Sequence, residues 1–130
     1  MQIKEYKALD AVTATTTSSK YYVGGHGRIG IRMNRADHGS GSSTFSIKGS
    51  LQDESTVTPT MTAINLWIDN VTNTNAEMIT RVNEKALGAN GDEYLWLDPS
   101  ATVNWLEITV TEVSDGTHSA WIVWEPKSLN

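Results

Sequence analysis

The stretch "WLEITVTEVSDGTHSAWIVWEP", residues 105–126, decides the fold class. Apolar and polar residues alternate on both sides of Asp115-Gly116, with the period of a half-buried β-strand. An Asp-Gly pair between two such runs is typical of a two-residue hairpin turn. The stretch therefore predicts two antiparallel strands folded about residues 115 and 116.

A type I′ turn at this position fixes which residues oppose one another. On the predicted core face the opposed pairs are Val110–Trp121, Ile108–Val123 and Leu106–Glu125. On the reverse face they are Thr111–Ala120, Thr109–Ile122 and Glu107–Trp124. The reverse face also carries Trp105, and a solvent-facing sheet has no need of three such large apolar side chains. We expect this second face to be covered, either by another part of the chain or by another subunit or a ligand.

The same alternation recurs along the chain. Ile29, Ile31 and Met33 alternate with polar residues and glycine, and Phe45 and Ile47 do so in the next run. Trp67 points away from the stripe formed by its apolar neighbours. Short strands separated by Gly, Asn and Asp predict an all-β protein, an antiparallel β-sandwich with a jelly-roll-like arrangement.

Two segments stand apart from this pattern. Residues 1–20 include the weakly apolar run "TATTTSSK" and are predicted to form an extended N-terminal arm, with residues 21–130 as a single β-sandwich domain. In "NTNAEMITRVNEKALGANG", Thr74 and Glu77 match a capping box and Gly88 matches a helix stop. These signals favour at most one short helix around residues 75–87, although Met78, Thr80 and Val82 also fit a short strand.

Composition limits the class of function. The 130 residues include no cysteine, which excludes disulfides and thiolate metal sites, and no apolar run is long enough to cross a membrane. The net charge of -5 argues against nucleic acid as a partner. Up to Lys48 there are seven basic and three acidic residues, and beyond it three basic and twelve acidic. This asymmetry either orients the chain on a partner or cancels when the two groups mix in the fold.

No motif indicates catalysis. "GHGRIG", residues 25–30, matches G-x-G-x-x-G, but a strand pattern follows it where a dinucleotide site needs a helix. The three histidines (His26, His38 and His118) lie far apart and lack the spacing of a metal-ligand motif. We therefore expect a protein that is not an enzyme and that has no cofactor and no bound metal.

"TFSIKGSLQDES" and "VNWLEITVTEVSDGTHSAWIVWEP", together with the Thr/Ser-rich start, resemble small β-sandwich structural proteins of tailed bacteriophages. The sequence departs from the commoner "D-G-x-x-W" continuation, since it has "DESTVTPTM". The resemblance implies a non-enzymatic virion structural protein, above all a capsid decoration (cement) protein that stabilises the phage head. It also implies a homo-oligomer, with a trimer favoured, that binds the major capsid protein in the virion after assembly in the host cytoplasm.

The predicted interface combines the aromatic residues of the second face with basic residues that orient the partner. It comprises Trp67, Trp105, Ile122, Trp124, Arg28, Arg32, Arg35, Lys4 and Lys7. The alternative is a carbohydrate- or receptor-binding β-sandwich module, in which Trp and Tyr stack on sugar faces. Such a module should show Trp or Tyr beside Asn, Asp or Arg in one groove.

Overall fold

The computed structural model describes residues 4–24, 26–37, 39–64, 66–68, 81–82, 84–97, 103–111 and 115–126. Within these ranges the chain forms strands and no helix. The described residues therefore include no helix that is long and apolar enough to cross a membrane. The strands are β1 (Lys4–Val12), β2 (Thr16–Thr17), β3 (Tyr21–Tyr22), β4 (His26–Ala36), β5 (Ser43–Ser50), β6 (Thr62–Ala63), β7 (Leu66–Ile68), β8 (Arg81–Val82), β9 (Glu84–Leu87), β10 (Gly91–Leu97), β11 (Trp105–Thr111) and β12 (Thr117–Pro126).

The strands form two antiparallel sheets. Sheet A has the order β1-β12-β4-β10-β7-β8. Sheet B has the order β2-β11-β5-β6, with β3 also paired to β11 and β9 to β5. The predicted all-β antiparallel sandwich is confirmed, whereas its jelly-roll-like connectivity stays a prediction.

The core lies between the two sheets and is filled by alternate residues of each long strand. Ile29, Ile31 and Met33 of β4 are buried as the alternation predicts. From sheet B the inward residues are Phe45, Ile47, Leu106, Ile108 and Val110, each 0% exposed. Since successive strand residues point to opposite faces, the residues between them form the outer faces of the sandwich.

The predicted hairpin at Asp115-Gly116 is wrong. β11 pairs with β5 in sheet B, and β12 pairs with β1 and β4 in sheet A. The two strands thus belong to opposite sheets, so no residue of one opposes a residue of the other in a ladder. The inward face of β12 is consequently independent of β11, and it carries His118, Ala120, Ile122 and Trp124.

Asp115, just before β12, is bound to another loop. Its carboxylate Oδ1 accepts hydrogen bonds from Gly39 N at 2.9 Å and Ser40 N at 3.2 Å. The buried guanidinium of Arg35 donates to the backbone oxygen of Asp115 and to Gly41 O and Leu87 O. These bonds join Asp115 to the loop at residues 39–41 and, through Arg35, to the end of β9.

Two further predictions are corrected. Much of the predicted N-terminal arm is integral to the sandwich, since β1 is a strand of sheet A and β2 pairs with β11. Backbone pairing requires few apolar side chains, and in β1 Leu9 is the residue buried in the core. The predicted helix is wrong for residues 81–82 and 84–87, which are strands β8 and β9, while residues 75–80 and 83 lie outside the described residues.

Candidate functional site on the outer face of sheet A

The outer face of sheet A carries a row of large side chains that crosses four neighbouring strands. The register places Lys7 opposite Trp121, Trp121 opposite Arg32, and Arg32 opposite Tyr94. Directly opposed residues on neighbouring strands share a face and lie close enough to interact. The row therefore brings two cations and two aromatic rings together from four distant segments of the sequence.

Trp121 contacts the cations on both sides of it in this row. The guanidinium carbon Cζ of Arg32 lies 4.3 Å from the centroid of the Trp121 ring, and Lys7 Nζ lies 5.3 Å from it. These distances are those of cation–π contacts. The contacts hold a partly exposed indole ring in place on the solvent side of the sheet.

Tyr94 and Trp96 form a second aromatic feature on the same face, which we call the ring pair. Their centroids are 6.5 Å apart and their planes differ by 11°. They are 37% and 38% exposed, although both are large hydrophobic side chains. Trp96 lies against Gly30, where an added Cβ would come within 2.7 Å of Trp96 Cε3 and Cζ3. Glycine at position 30 thus leaves room for the indole ring.

A hydrogen-bonded group of polar side chains borders the ring pair. Asn34 Nδ2 donates to Asp92 Oδ1 at 2.9 Å, and Arg32 Nη2 donates to Asp92 Oδ2 at 3.3 Å. Arg32 and Asp92 are each about one-third exposed, with side-chain values of 34% and 35%. The ring pair therefore lies beside an amide, a carboxylate and a guanidinium that water and ligands can reach.

The outer face of sheet B differs in composition. Its β5 residues are Thr44, Ser46 and Lys48, and the Thr17 and Thr109 hydroxyls are 3.0 Å apart. Apart from Trp105, which contacts the loop at residues 52–53, this is the composition of an ordinary solvated sheet face. The aromatic outer face of sheet A is the candidate binding surface of the described sandwich.

The structure separates the predicted interface residues. Ile122 and Trp124 are 0% and 4% exposed in the core, so they are not available to a partner. Arg35 is 0% exposed and binds the backbone oxygens named above. Trp105 lies on sheet B, where its Nε1 donates to Gln52 O and Asp53 O at 3.1 and 3.2 Å. The loop that contains those two residues covers part of the Trp105 ring.

The remaining predicted residues belong to sheet A. Lys7 and Arg32 lie in the cation–tryptophan row, and Arg28 is exposed near the start of β4. The side chains of Lys4 and Trp67 lie outside the part of the chain that the structure describes, although the register pairs Lys4 with Trp124 and Trp67 with Trp96. The outer face of sheet A thus brings together Lys7 and Arg32 but none of the predicted aromatic side chains whose positions are described.

Sequence reasoning missed the aromatic residues that are exposed. It placed Trp121 in the core, because the false hairpin linked its face to that of Val110. It assigned no face to Tyr94 and Trp96. The signal for these two was present, since they flank Leu95, which is 0% exposed, in an alternating run.

The charge asymmetry of the sequence is reduced by pairing across the fold. Lys20 Nζ lies 3.3 Å from Glu107 Oε2, Arg32 pairs with Asp92, and Arg35 pairs with Asp115 at 3.4 Å. In each case a cation from the basic N-terminal part meets an acid from the acidic C-terminal part. These three pairs thus support the alternative in which the basic and acidic residues mix in the fold and their charges cancel.

Within the described residues, no group of three or more His, Asp or Glu side chains could hold a metal ion. A depression of about 490 Å³ beside sheet B is lined by Gly49, Leu51, Ile64, Val103 and uncharged polar neighbours. Its described lining offers no acid, base or charged group to a substrate.

The fold has a counterpart among solved structures. The chain is similar to the crystal structure of the SPBc2 prophage-derived protein YomS, with a TM-score of 0.65 and 16% sequence identity. The similarity covers 95% of this chain and 94% of YomS, so the two proteins share a fold over nearly their whole length. No protein-family model matches the sequence, and no curated protein matches it.

Proposed function

We propose that the chain is a non-enzymatic structural protein of a bacteriophage virion, and specifically a capsid decoration protein. The observation that carries the proposal is the row formed by Lys7, Trp121 and Arg32 on an outer sheet face. Tryptophan and arginine are enriched among the residues that dominate binding energy at protein interfaces. The shared fold with a prophage-derived protein supports a phage origin.

The contact surface lies along strand β1, at the edge of sheet A. One side of β1 pairs with β12, and no described strand pairs with its other side. An unpaired strand edge can add a strand from a neighbouring subunit. Lys7 and Asp10 on this strand form an ion pair of 2.9 Å with side chains that are 45% and 73% exposed. Because exposed ion pairs contribute little stability, Lys7 can exchange Asp10 for a carboxylate of the partner.

Stabilisation of the shell follows from repetition. A decoration protein meets the same capsid site many times, and an oligomer of the chain binds several sites at once. Linked binding sites raise the overall affinity far above that of a single contact. A modest interface at β1 and Trp121 is therefore sufficient to hold the capsid lattice together.

The test is cosedimentation with empty capsids of the phage or prophage that carries the gene. We expect saturable binding at a fixed number of chains per lattice unit. Trp121→Ser should weaken binding by about tenfold or more, which is the effect of removing a central tryptophan from an interface. Lys7→Glu should weaken binding as well, because it reverses the charge at the edge strand.

The matched control is Lys48→Glu, which makes the same change of charge on the exposed outer face of sheet B. We expect this variant to bind capsids as the parent chain does. Equal loss of binding in Lys7→Glu and Lys48→Glu would assign the effect to net charge and would contradict the proposed surface. Circular dichroism of every variant shows whether the fold is intact.

A further inference from the structure

We propose that the ring pair, Tyr94 and Trp96, is a binding platform for a neutral saccharide. The platform lies on the same outer face as the capsid contact but on different strands, and its existence does not depend on capsid binding. The inference rests on three features of the ring pair: its geometry, its support by the sheet, and the charge balance of its border.

The ring pair provides two exposed aromatic rings in nearly parallel planes. The two rings come from alternate positions of β10, their planes differ by only 11°, and more than a third of each side chain is exposed. One face of a pyranose ring consists of C–H groups and is also flat and apolar, while its hydroxyl groups point outward around the ring. Two parallel rings on alternate residues of β10 can therefore each pack against a sugar ring of a saccharide chain that runs along the strand.

The sheet holds the platform in place before any ligand binds. Trp96 rests against Gly30, the residue directly opposite it on β4. A side chain at position 30 would collide with the indole, since its Cβ would lie 2.7 Å from two ring carbons. An aromatic side chain that is already fixed loses little conformational entropy on binding.

The border of the platform can bind hydroxyl groups. Both carboxylate oxygens of Asp92 accept one hydrogen bond, from Asn34 and from Arg32, and each retains a second lone pair. The Nδ2 of Asn34 donates to Asp92 Oδ1 and to Gly91 O, and its amide oxygen offers an acceptor. Neighbouring hydroxyls of a sugar both donate and accept hydrogen bonds, so this group of side chains complements them.

The charge of the border favours a neutral ligand over an anionic one. The positive charge of Arg32 is matched by Asp92, whereas an anionic polymer requires cations that it can neutralise. A neutral saccharide needs no unpaired cation and therefore fits this border.

The ring pair can stay accessible on an assembled particle. Arg32, the inner end of the row, lies directly opposite Tyr94 and pairs with Asp92 in the border of the ring pair. Trp121 is two strand spacings from Tyr94, or roughly 10 Å. A capsid contact centred on β1 and Trp121 therefore leaves the ring pair on β10 open to solvent. The same molecule can hold the capsid and present a saccharide platform outward.

The experiment is calorimetric titration of the full chain with cellohexaose, chitohexaose and maltohexaose, joined by NMR of the tryptophan indole groups. We expect saturable binding of at least one oligosaccharide, with a shift of the Trp96 indole signal and no loss of affinity at raised salt. Trp96→Ala and Tyr94→Ala should each weaken binding by about tenfold. Trp105→Phe, on sheet B, is the control and should bind as the parent chain does.

Gly30→Ala tests whether saccharide binding needs the Trp96 ring in its present position or only its presence. It keeps both aromatic side chains but displaces Trp96, so binding should weaken although the ring pair is intact in sequence. If this variant fails to fold, the two alanine variants of the exposed rings still decide the matter. Absence of binding for all three oligosaccharides, or binding that survives Trp96→Ala, would overturn the proposal.

Two outcomes distinguish this proposal from the capsid proposal. Loss of capsid binding in Trp96→Ala, with no saccharide bound by the parent chain, would make the ring pair a protein contact and overturn the saccharide platform. Saccharide binding by a chain that does not bind capsids would support the saccharide platform and would contradict only the capsid proposal.

Discussion

Trp124 and Trp121 lie three residues apart on β12, and the structure predicts very different effects when each is replaced by alanine. Trp124 is 4% exposed and lies on the core side of sheet A, with its ring 4.0 Å from that of Tyr6. Trp121 lies on the outer side between two cations. The pair tests directly which face of β12 points into the sandwich.

The magnitudes follow from burial. A buried aromatic side chain removes about 150–250 Å² from water, which at about 25 cal/mol per Å² corresponds to about 4–6 kcal/mol. Since such areas are upper estimates, we expect Trp124→Ala to lower the free energy of unfolding by about 3–5 kcal/mol. Trp121→Ala loses two cation–π contacts of about 0.5–1 kcal/mol each, or about 1–2 kcal/mol. The partial burial of its ring adds to this loss, which we expect to stay below that of Trp124→Ala.

The assay is urea denaturation followed by circular dichroism, with the two variants and the parent chain in the same buffer. A domain has a total stability of about 5–15 kcal/mol, so Trp124→Ala should shift the midpoint strongly or unfold the chain before urea is added. Trp121→Ala should shift the midpoint slightly. A larger loss for Trp121→Ala than for Trp124→Ala would refute the assignment of the two faces.

Three further changes test the contacts around the core. Arg35→Met should lower the free energy of unfolding by about 3–5 kcal/mol in the same urea assay, because buried backbone oxygens lose their donor. A stability equal to that of the parent chain would contradict this role. Gly116→Ala should cost about 1–3 kcal/mol, since φ is +116° and the new Cβ lies 2.8 Å from Arg35 Nε. Gly88→Ala, where a Cβ meets nothing within 4 Å, is its control. Trp105→Phe should speed amide exchange in residues 52–53 by about fivefold through loss of its Nε1 donor, and unchanged exchange would show that these bonds do not order the loop.

The parts of the fold that could be predicted from sequence are those that depend on local alternation. Ile29, Ile31 and Met33 are buried as expected, because the side chains of a strand alternate whatever its partner is. Leu106 and Ile108 are buried for the same reason. The sandwich class follows from many such strands separated by turn residues.

The face of β12 could not be predicted in this way because it depends on a distant partner. Asp115-Gly116 has the composition of a hairpin turn, but the carboxylate of Asp115 binds the loop at Gly39 and Ser40 instead. Since β12 pairs with β1 and β4 and not with β11, a register drawn from β11 could not determine which of its residues face the core. The sequence therefore predicts Trp121 in the core and Trp124 on the outer face, which is the reverse of the structure.

The candidate site was only partly within reach of the sequence. The outward positions of Tyr94 and Trp96 follow once Leu95 is recognised as a core residue. That Gly30 lies opposite Trp96, and that Lys7, Trp121 and Arg32 align in one row, depends on the register of strands far apart in the chain. No local pattern specifies that register.

The most direct test of the proposed function is sedimentation velocity of the purified chain, alone and mixed with empty capsids of its own phage or prophage. We predict an oligomer of the 14.3 kDa chain, with a trimer favoured, that moves to the capsid fraction and saturates it at a fixed stoichiometry. A stable monomer that stays behind when the capsids sediment would contradict the account.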